Sequence, residues 1–239
     1  MRDEIVVSGA FDDLRLNDFR LLDEVAKRGR LRVNLWSDAA VVTATGKPPK
    51  FPLAERKYLL EAIRFVNRVD VINEPQRDGP SPGLQPQVFP PLPPPQPVPI
   101  NPPGIKVLVT GCYDYFHSGH VAFFEECAAM GDLYVGVGSD ATIEQLKGKG
   151  HPLFPQDQRR YIVSCCRHVT YAFVNSGGGW LDAEPELKRI RPQFYVVNED
   201  GDKPAKRAYC EANGIEYRVL KRVPKQGLPA RQSTALRGF

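Results

Sequence analysis

Short apolar runs alternate with amphipathic stretches along the second half of the chain. "IKVLVT" (105–110), "LYVGVGS" (133–139), "FYVV" (194–197) and "EYRVL" (216–220) have the length and composition of buried parallel strands. Between the first two, Val121, Phe124 and Ala128 recur at helical spacing, and Gly131 stands where a residue just past a helix C-terminus belongs. "PQDQRRYIVSCC" (155–166) opens on proline, as first helical turns often do. A further helix is predicted near 203–213, stopped by Asn213-Gly214. Strands alternating with helices predict an α/β fold with a Rossmann-like, doubly wound parallel sheet.

The same pattern occurs earlier in the chain. Residues 6–39, "VVSGAFDDLRLNDFRLLDEVAKRGRLRVNLWSDA", align without a gap on 108–141, "LVTGCYDYFHSGHVAFFEECAAMGDLYVGVGSDA". Gly9 falls on Gly111, Asp12 on Asp114, Gly29 on Gly131, and Ser37-Asp38 on Ser139-Asp140. One inserted residue later Arg56 falls on Arg159, Tyr58 on Tyr161 and Arg64 on Arg167. The pattern reads as an internal duplication. Each copy is expected to run strand, helix, strand, helix, strand. The first, residues 1–73, stops as a βαβαβ half-unit; the second, 105–239, continues to a complete domain. Residues 74–104 are crowded with proline and are expected to form an extended linker or strap. P-x-x-P occurs within it, which leaves open a scaffold role toward SH3 or WW domains.

Composition adds limits. The chain has 239 residues, 42% hydrophobic and 25% charged, as expected of a protein able to bury a core. No run approaches the ~20 apolar residues of a membrane span, and the start lacks a secretory h-region. Five cysteines, odd in number and without a C-x-x-C pair, argue against a disulfide framework or a zinc site and for a cytoplasmic location. A net charge of +4 is too mild to imply nucleic acid. After Glu216, however, no acid follows, while Arg218, Lys221, Arg222, Lys225, Arg231 and Arg237 do, a distribution suited to a polyanionic small ligand.

The candidate chemistry lies in "GCYDYFHSGH" (111–120), at a strand end and helix start. Gly111 lets the chain turn and lets a ligand approach the backbone. A helix N-terminus attracts phosphate. At i, i+3 the imidazoles of His117 and His120 share one helix face and can reach the same phosphate, and Gly119 between them leaves room for the substrate. Helical metal ligands usually sit at i, i+4, so no protein metal site is expected.

"GCYDYFHSGH" resembles the H-x-G-H signature of the cytidylyltransferase-like nucleotidyltransferases. "SDATIEQLKGKGHPLFPQDQRRYIVSCCRHV" (139–169) is similar to that family's middle block, and "ARQSTALR" (230–237) to its late Ser-Thr block. The resemblance implies transfer of CMP or AMP from CTP or ATP to a phosphorylated polyol, amino alcohol or sugar, with release of pyrophosphate. It also implies Mg²⁺ travelling with the triphosphate. His117 and His120 are then expected to donate hydrogen bonds to the α-phosphate, with Lys147 and Lys149 drawing in phosphates. Arg159 is expected to hold an anionic group, and Arg231, Ser233 and Thr234 the β- and γ-phosphates. Thr110, Gly111, Cys112, Tyr113, Gly119, Asn198 and Asp200 complete the expected nucleotide site, whereas Asp114 and Asp140 are expected to brace turns. Two departures stand out. "VVNEDGDK" (196–203) replaces a glycine-rich turn near the base, which leaves CTP against ATP open, and Arg231-Gln232 replaces a Gly-Ile pair. In the first copy Arg15, Asn17 and Asp18 replace His117, Gly119 and His120, so its site is expected to be dead. That copy is expected to pack on the catalytic domain as a substitute for a second subunit, with a homodimer as an alternative. A nucleotide-binding regulator without turnover is the other reading of the whole chain.

Overall fold

The computed structural model describes residues 3–75 and 89–236 and divides into two compact units, Met1–Pro91 and Leu92–Phe239. The N-terminal unit runs β1 (Glu4–Gly9), α1 (Leu16–Ala26), β2 (Arg30–Trp36), α2 (Asp38–Thr45), α3 (Leu53–Glu61) and β3 (Val66–Ile72). Its three strands form a parallel sheet in the order β1-β2-β3, over a core that includes Leu22, Leu31, Val33, Leu35 and Leu60.

The C-terminal unit begins with β4 (Lys106–Gly111), α4 (Ser118–Ala128), β5 (Asp132–Val137), α5 (Asp140–Lys147), α6 (Gln156–Ser164) and β6 (Tyr171–Val174). It continues with α7 (Glu184–Ile190), β7 (Phe194–Asn198), α8 (Pro204–Ala212) and β8 (Glu216–Leu220). All five strands are parallel, in the order β6-β5-β4-β7-β8. β4 is central, so Val107, Leu108 and Val109 are buried in succession, as a strand covered on both faces requires. The order reverses between β4 and β7, which opens a crevice at the strand C-termini.

Aligned positions in the two units make the same contacts. β1 pairs with β2 from Glu4↔Arg30 to Gly9↔Leu35, and β4 with β5 from Lys106↔Asp132 to Gly111↔Val137. Gly29 and Gly131 are required sterically, since a Cβ would stand 2.2 Å from Asp3 O and 2.4 Å from Ile105 O. Gly131 thus serves the approach of strand to turn rather than a left-handed helix cap. Ser37 and Ser139 cap helices α2 and α5, accepting from Ala40 N and Thr142 N at 3.2 Å. These two helices, and α7, add to the simpler element order expected from sequence.

The expected linker is divided between the units. Residues 92–104 lie against the C-terminal unit, where their carbonyls accept from side chains. Arg160 donates to Pro93 O at 2.8 Å, Tyr171 Oη to Gln96 O at 2.6 Å, and Arg189 to Val98 O. Val98 packs against the core around Leu108, Tyr195 and Ile190. Residues 76–88 of the proline-rich segment lie outside the described residues. Among the described residues no helix is long and apolar enough to cross a membrane.

Candidate active site

His117 is the N-cap of α4, with φ −145° and ψ 172°, and closes a reciprocal capping box with His120. Its Nδ1 accepts from Gly119 N–H at 3.1 Å, while its own backbone N–H donates to His120 Nδ1 at 3.4 Å. Both Nδ1 atoms are therefore acceptors, which puts the proton of each neutral ring on Nε2. The rings stack, with centroids 3.9 Å apart and planes 21° apart. Burial, then the charges of Arg222 and Arg231, lowers the His117 pKa to about 3. Burial, then His117, Arg222 and Lys147, holds His120 well below its ordinary value. The site thus presents two neutral N–H donors at a helix N-terminus.

The two rings differ in access. His120 lines a cleft of about 630 Å³ at the strand C-termini. His117 is 1% exposed, and among the described residues its buried Nε2 has no partner. The chain passes close by: Arg231 O stands 3.7 Å from where a Cβ on Gly119 would be, and that Cβ would lie 3.0 Å from His117 Cε1. Gly119 is therefore needed for the ring, while the passing segment would meet a Cβ at ordinary contact distance.

Thr110, Gly111, Cys112 and Tyr113 form the cleft floor. Tyr113, at φ +53°, folds its ring back over Gly111, where a Cβ would come within 2.7 Å of it. The ring also meets His120 edge-on, with centroids 5.2 Å apart. Thr110 Oγ1 and Tyr195 Oη are hydrogen-bonded at 2.8 Å. Lys147, the last residue of α5, lines the cleft, and its charge acts on both Cys112 and His120. Asn198, Asp200 and Ser233 also line it. Ser233 opens a 3-10 turn, Ser233–Leu236, and donates to Tyr115 O at 3.3 Å. Arg231 lines an adjoining pocket of about 220 Å³ with Gly119, Asn198 and Arg222.

Two expectations are corrected. Arg159 does not face the cleft. It is 1% exposed, and its guanidinium donates to Phe154 O, Cys112 O and Gly138 O at 2.6–2.8 Å and to Asp140 Oδ1 at 2.7 Å. Arg56 does the same in the N-terminal unit, donating to Phe51 O, Ala10 O, Trp36 O and Asp38. An arginine whose donors are spent on loop carbonyls holds the loops, not a ligand. Lys149 is exposed on the loop after α5 and is not among the residues lining the cleft. Asp114 braces a turn as expected, accepting from Leu153 N and Phe154 N. The side chain of Thr234 and all of Arg237 lie outside the described residues.

Sequence reasoning placed Arg222 only within a basic tail. It stands two residues past β8, lines both pockets and acts on both histidines. Its guanidinium bonds Asp200 at 2.7 Å and Arg231 O at 3.1 Å, so it ties the β7 and C-terminal loops together. Its place just beyond a strand C-terminus was the available signal. Lys206 and His151 also line the cleft without having been singled out. In the N-terminal unit the corresponding helix start is closed by Arg15 and Asp18, with Arg15 N–H donating to Asp18 at 2.7 Å, and it carries no imidazole.

Paired imidazole donors at a helix N-terminus, set at the switch point of a parallel sheet and ringed by cations, make this a nucleotidyltransferase. Comparison with known proteins gives the particular group: the cytidylyltransferase-like family model matches residues 108–220. The FAD synthase of Aciduliprofundum boonei (strain DSM 19572 / T469) is 33% identical over 120 residues, covering 49% of this chain and 77% of that protein. The bifunctional protein HldE of Aliarcobacter butzleri (strain RM4018) is 38% identical over 122 residues, covering 49% of this chain but only 24% of that protein. Among solved structures, the lipopolysaccharide core biosynthesis protein from Thermoplasma volcanium GSS1 is similar at 23% identity and TM-score 0.44, over 52% of this chain and 100% of that one. The chain belongs to the cytidylyltransferase-like family.

Proposed function

We propose that the C-terminal unit transfers CMP or AMP from CTP or ATP to the phosphate of a phosphorylated small molecule, with a polyol, amino alcohol or sugar phosphate as the acceptor class. An acceptor phosphate oxygen attacks the α-phosphorus, the bond from that phosphorus to the bridging oxygen breaks, and pyrophosphate leaves. Charge that grows on the α-phosphate is met by the Nε2–H groups of His120 and His117. The observation that carries this reading is the capping box, which spends both Nδ1 atoms internally and leaves two Nε2–H donors. His120 lines the cleft, so its donor meets the triphosphate first; contact with His117 requires its buried Nε2 to be uncovered as the triphosphate enters.

Arg222, Arg231 and Ser233 are the proposed hosts of the β- and γ-phosphates, and Lys147 steers the attacking phosphate. Asn198 and Asp200 lie on the β7 side, toward the base. The relative named FAD synthase favours ATP, because FAD carries an adenylyl group; the family description favours CTP. Mg²⁺ fits as a passenger of the triphosphate. The carboxylates lining the cleft, Asp114, Glu199 and Asp200, already accept from backbone N–H groups or from the Arg222 guanidinium, which favours leaving the ion to phosphate and water. When bound it neutralises triphosphate charge. On the same reading the N-terminal unit is a degenerate copy of the complete one.

Pyrophosphate release from each nucleoside triphosphate against a panel of phosphorylated polyols, amino alcohols and sugars tests the proposal. Release with one pairing above all others is the expected result. Clear triphosphate binding with silence across every pairing would favour a nucleotide-binding regulator.

A further inference from the structure

The cleft has a cation that the transfer reaction as described does not use. Lys206, on α8, lines the cleft beside Thr110, and its Nζ stands 5.7 Å from the centroid of the Tyr195 ring. Tyr195 is itself fixed, 1% exposed and hydrogen-bonded to Thr110. Among the described residues the Lys206 ammonium makes no hydrogen bond or ion pair, while its backbone N–H donates to Lys203 O at 3.0 Å. A half-buried ammonium over an aromatic face, without a carboxylate in contact, keeps its three donors free for an anionic ligand in the cleft.

Lys206 is set apart from the reacting centre. Lys147 ends α5 and its charge acts on His120 and Cys112, the residues around the site of attack, whereas Lys206 is carried by α8 over the Tyr195 ring. The charged and titratable neighbours that act on Lys206 are Lys203, Asp182, Cys210 and Asp202. Of these, Asp182 sits close to the C-terminal end of β5, its Oδ2 3.4 Å from where a Cβ on Gly138 would be. The cations Arg222 and Arg231 gather on the β8 side with Ser233, where the triphosphate is placed. Lys206 lines the main cleft but not the adjoining pocket that Arg222 and Arg231 share.

Resting on the proposed reaction, we infer that Lys206 is a specificity-determining residue that binds a second anionic group of the acceptor, remote from the phosphate that attacks. The acceptor class is therefore a phosphate monoester bearing a further carboxylate or phosphate. A neutral polyol phosphate leaves the ammonium unpaired and is the poorer substrate.

The test uses the full chain and two matched pairs of probes: glycerol 3-phosphate against 3-phosphoglycerate, and fructose 6-phosphate against fructose 1,6-bisphosphate. Binding is measured by calorimetry and turnover by pyrophosphate release, for wild type, Lys206→Met and Lys206→Arg, with folding followed by circular dichroism. The doubly anionic member of at least one pair is expected to bind at least tenfold more tightly. Lys206→Met removes that preference and Lys206→Arg keeps most of it, with triphosphate affinity unaltered in both. Equal affinity within both pairs, no measurable binding of all four probes included, overturns the inference, as does a preference that survives Lys206→Met. A charge preference lost in Lys206→Met, without pyrophosphate release from any nucleotide, leaves Lys206 as an anion site and removes the transfer reaction. Release with a neutral acceptor as good as its acidic partner does the reverse.

Discussion

His117 and His120 stack face to face at 3.9 Å, each with Nδ1 held by a backbone N–H. The arrangement decides the chemistry open to them. Two imidazoles this close cannot both become cations without like-charge repulsion, and burial opposes even one. They are therefore hydrogen-bond donors by tautomer rather than an acid and a base, which suits phosphoryl chemistry, where positioning and charge stabilisation dominate.

The first prediction concerns that protonation state. The folded protein holds His117 at a pKa of about 3, against an ordinary value of 6.5. Between these values the unfolded chain binds more protons than the folded one, so stability present above the upper value is lost as pH falls toward the lower. The urea midpoint is expected to fall between pH 7 and pH 5, and less steeply in His117→Gln. Long-range ¹⁵N correlation spectra are expected to show His117 as the neutral Nε2–H tautomer at both pH values. An imidazolium signal at pH 5 would contradict the assignment.

Truncating the donors should separate chemistry from folding. His120→Ala is expected to lower turnover about 10²–10³-fold, the usual consequence of removing a preorganised donor to a developing oxyanion. His117→Ala is expected to do the same and also to lose the helix cap, at about 1 kcal/mol of stability. Pyrophosphate release read beside thermal melts checks both. Near wild-type turnover in the double variant would remove the pair from the mechanism.

Arg159 and Arg56 predict a different phenotype. Each is buried and donates to three carbonyls and a carboxylate, in equivalent places of the two units. Lysine cannot reproduce that fork. Either Arg→Lys change is expected to cost about 1–3 kcal/mol of stability, the range for leaving buried hydrogen-bonding groups without a partner. The KM for the triphosphate should stay near wild type in the folded Arg159→Lys protein. Denaturant titrations and steady-state kinetics check this; a KM raised tenfold with unchanged stability would restore Arg159 to the ligand.

Much of this was legible in the sequence because it is written in local rules. The strands around Leu108, Val135 and Val196 are uninterrupted apolar runs, and the H-x-G-H spacing fixes a helix start whose capping follows from it. The aligned glycines, serines and arginines also made the repeated contacts readable. What was not legible depends on long-range placement. Nothing in "QDQRRY" distinguishes an arginine aimed at a ligand from one aimed at the carbonyls of residues 112 and 138, which the chain brings in from 47 and 21 positions away. Arg222 and Lys206 belong to segments without a motif, and only the fold brings both to one cleft. The helices α2 and α5 were announced by Ser-Asp caps but are 8 residues each, short enough to read as loops.

The boundary between the units supplies the last prediction. The proline-rich stretch suggests a cut anywhere between residues 74 and 104, yet the contacts place the division at Pro91. Beyond it, residues 93–98 provide carbonyls to Arg160, Tyr171 and Arg189, and Val98 covers part of the core. Arg160 is 6% exposed, so removing its carbonyl partner strands a buried guanidinium. A fragment of residues 92–239 is therefore expected to be soluble and to melt cooperatively, whereas 105–239 should be markedly less stable and prone to aggregate. Comparable melts for the two fragments would show the strap to be dispensable. The same 92–239 fragment tests the N-terminal copy. If that copy stands in for a second subunit, the fragment should self-associate or lose turnover; if the fragment is monomeric and fully active by light scattering and pyrophosphate release, that role is excluded.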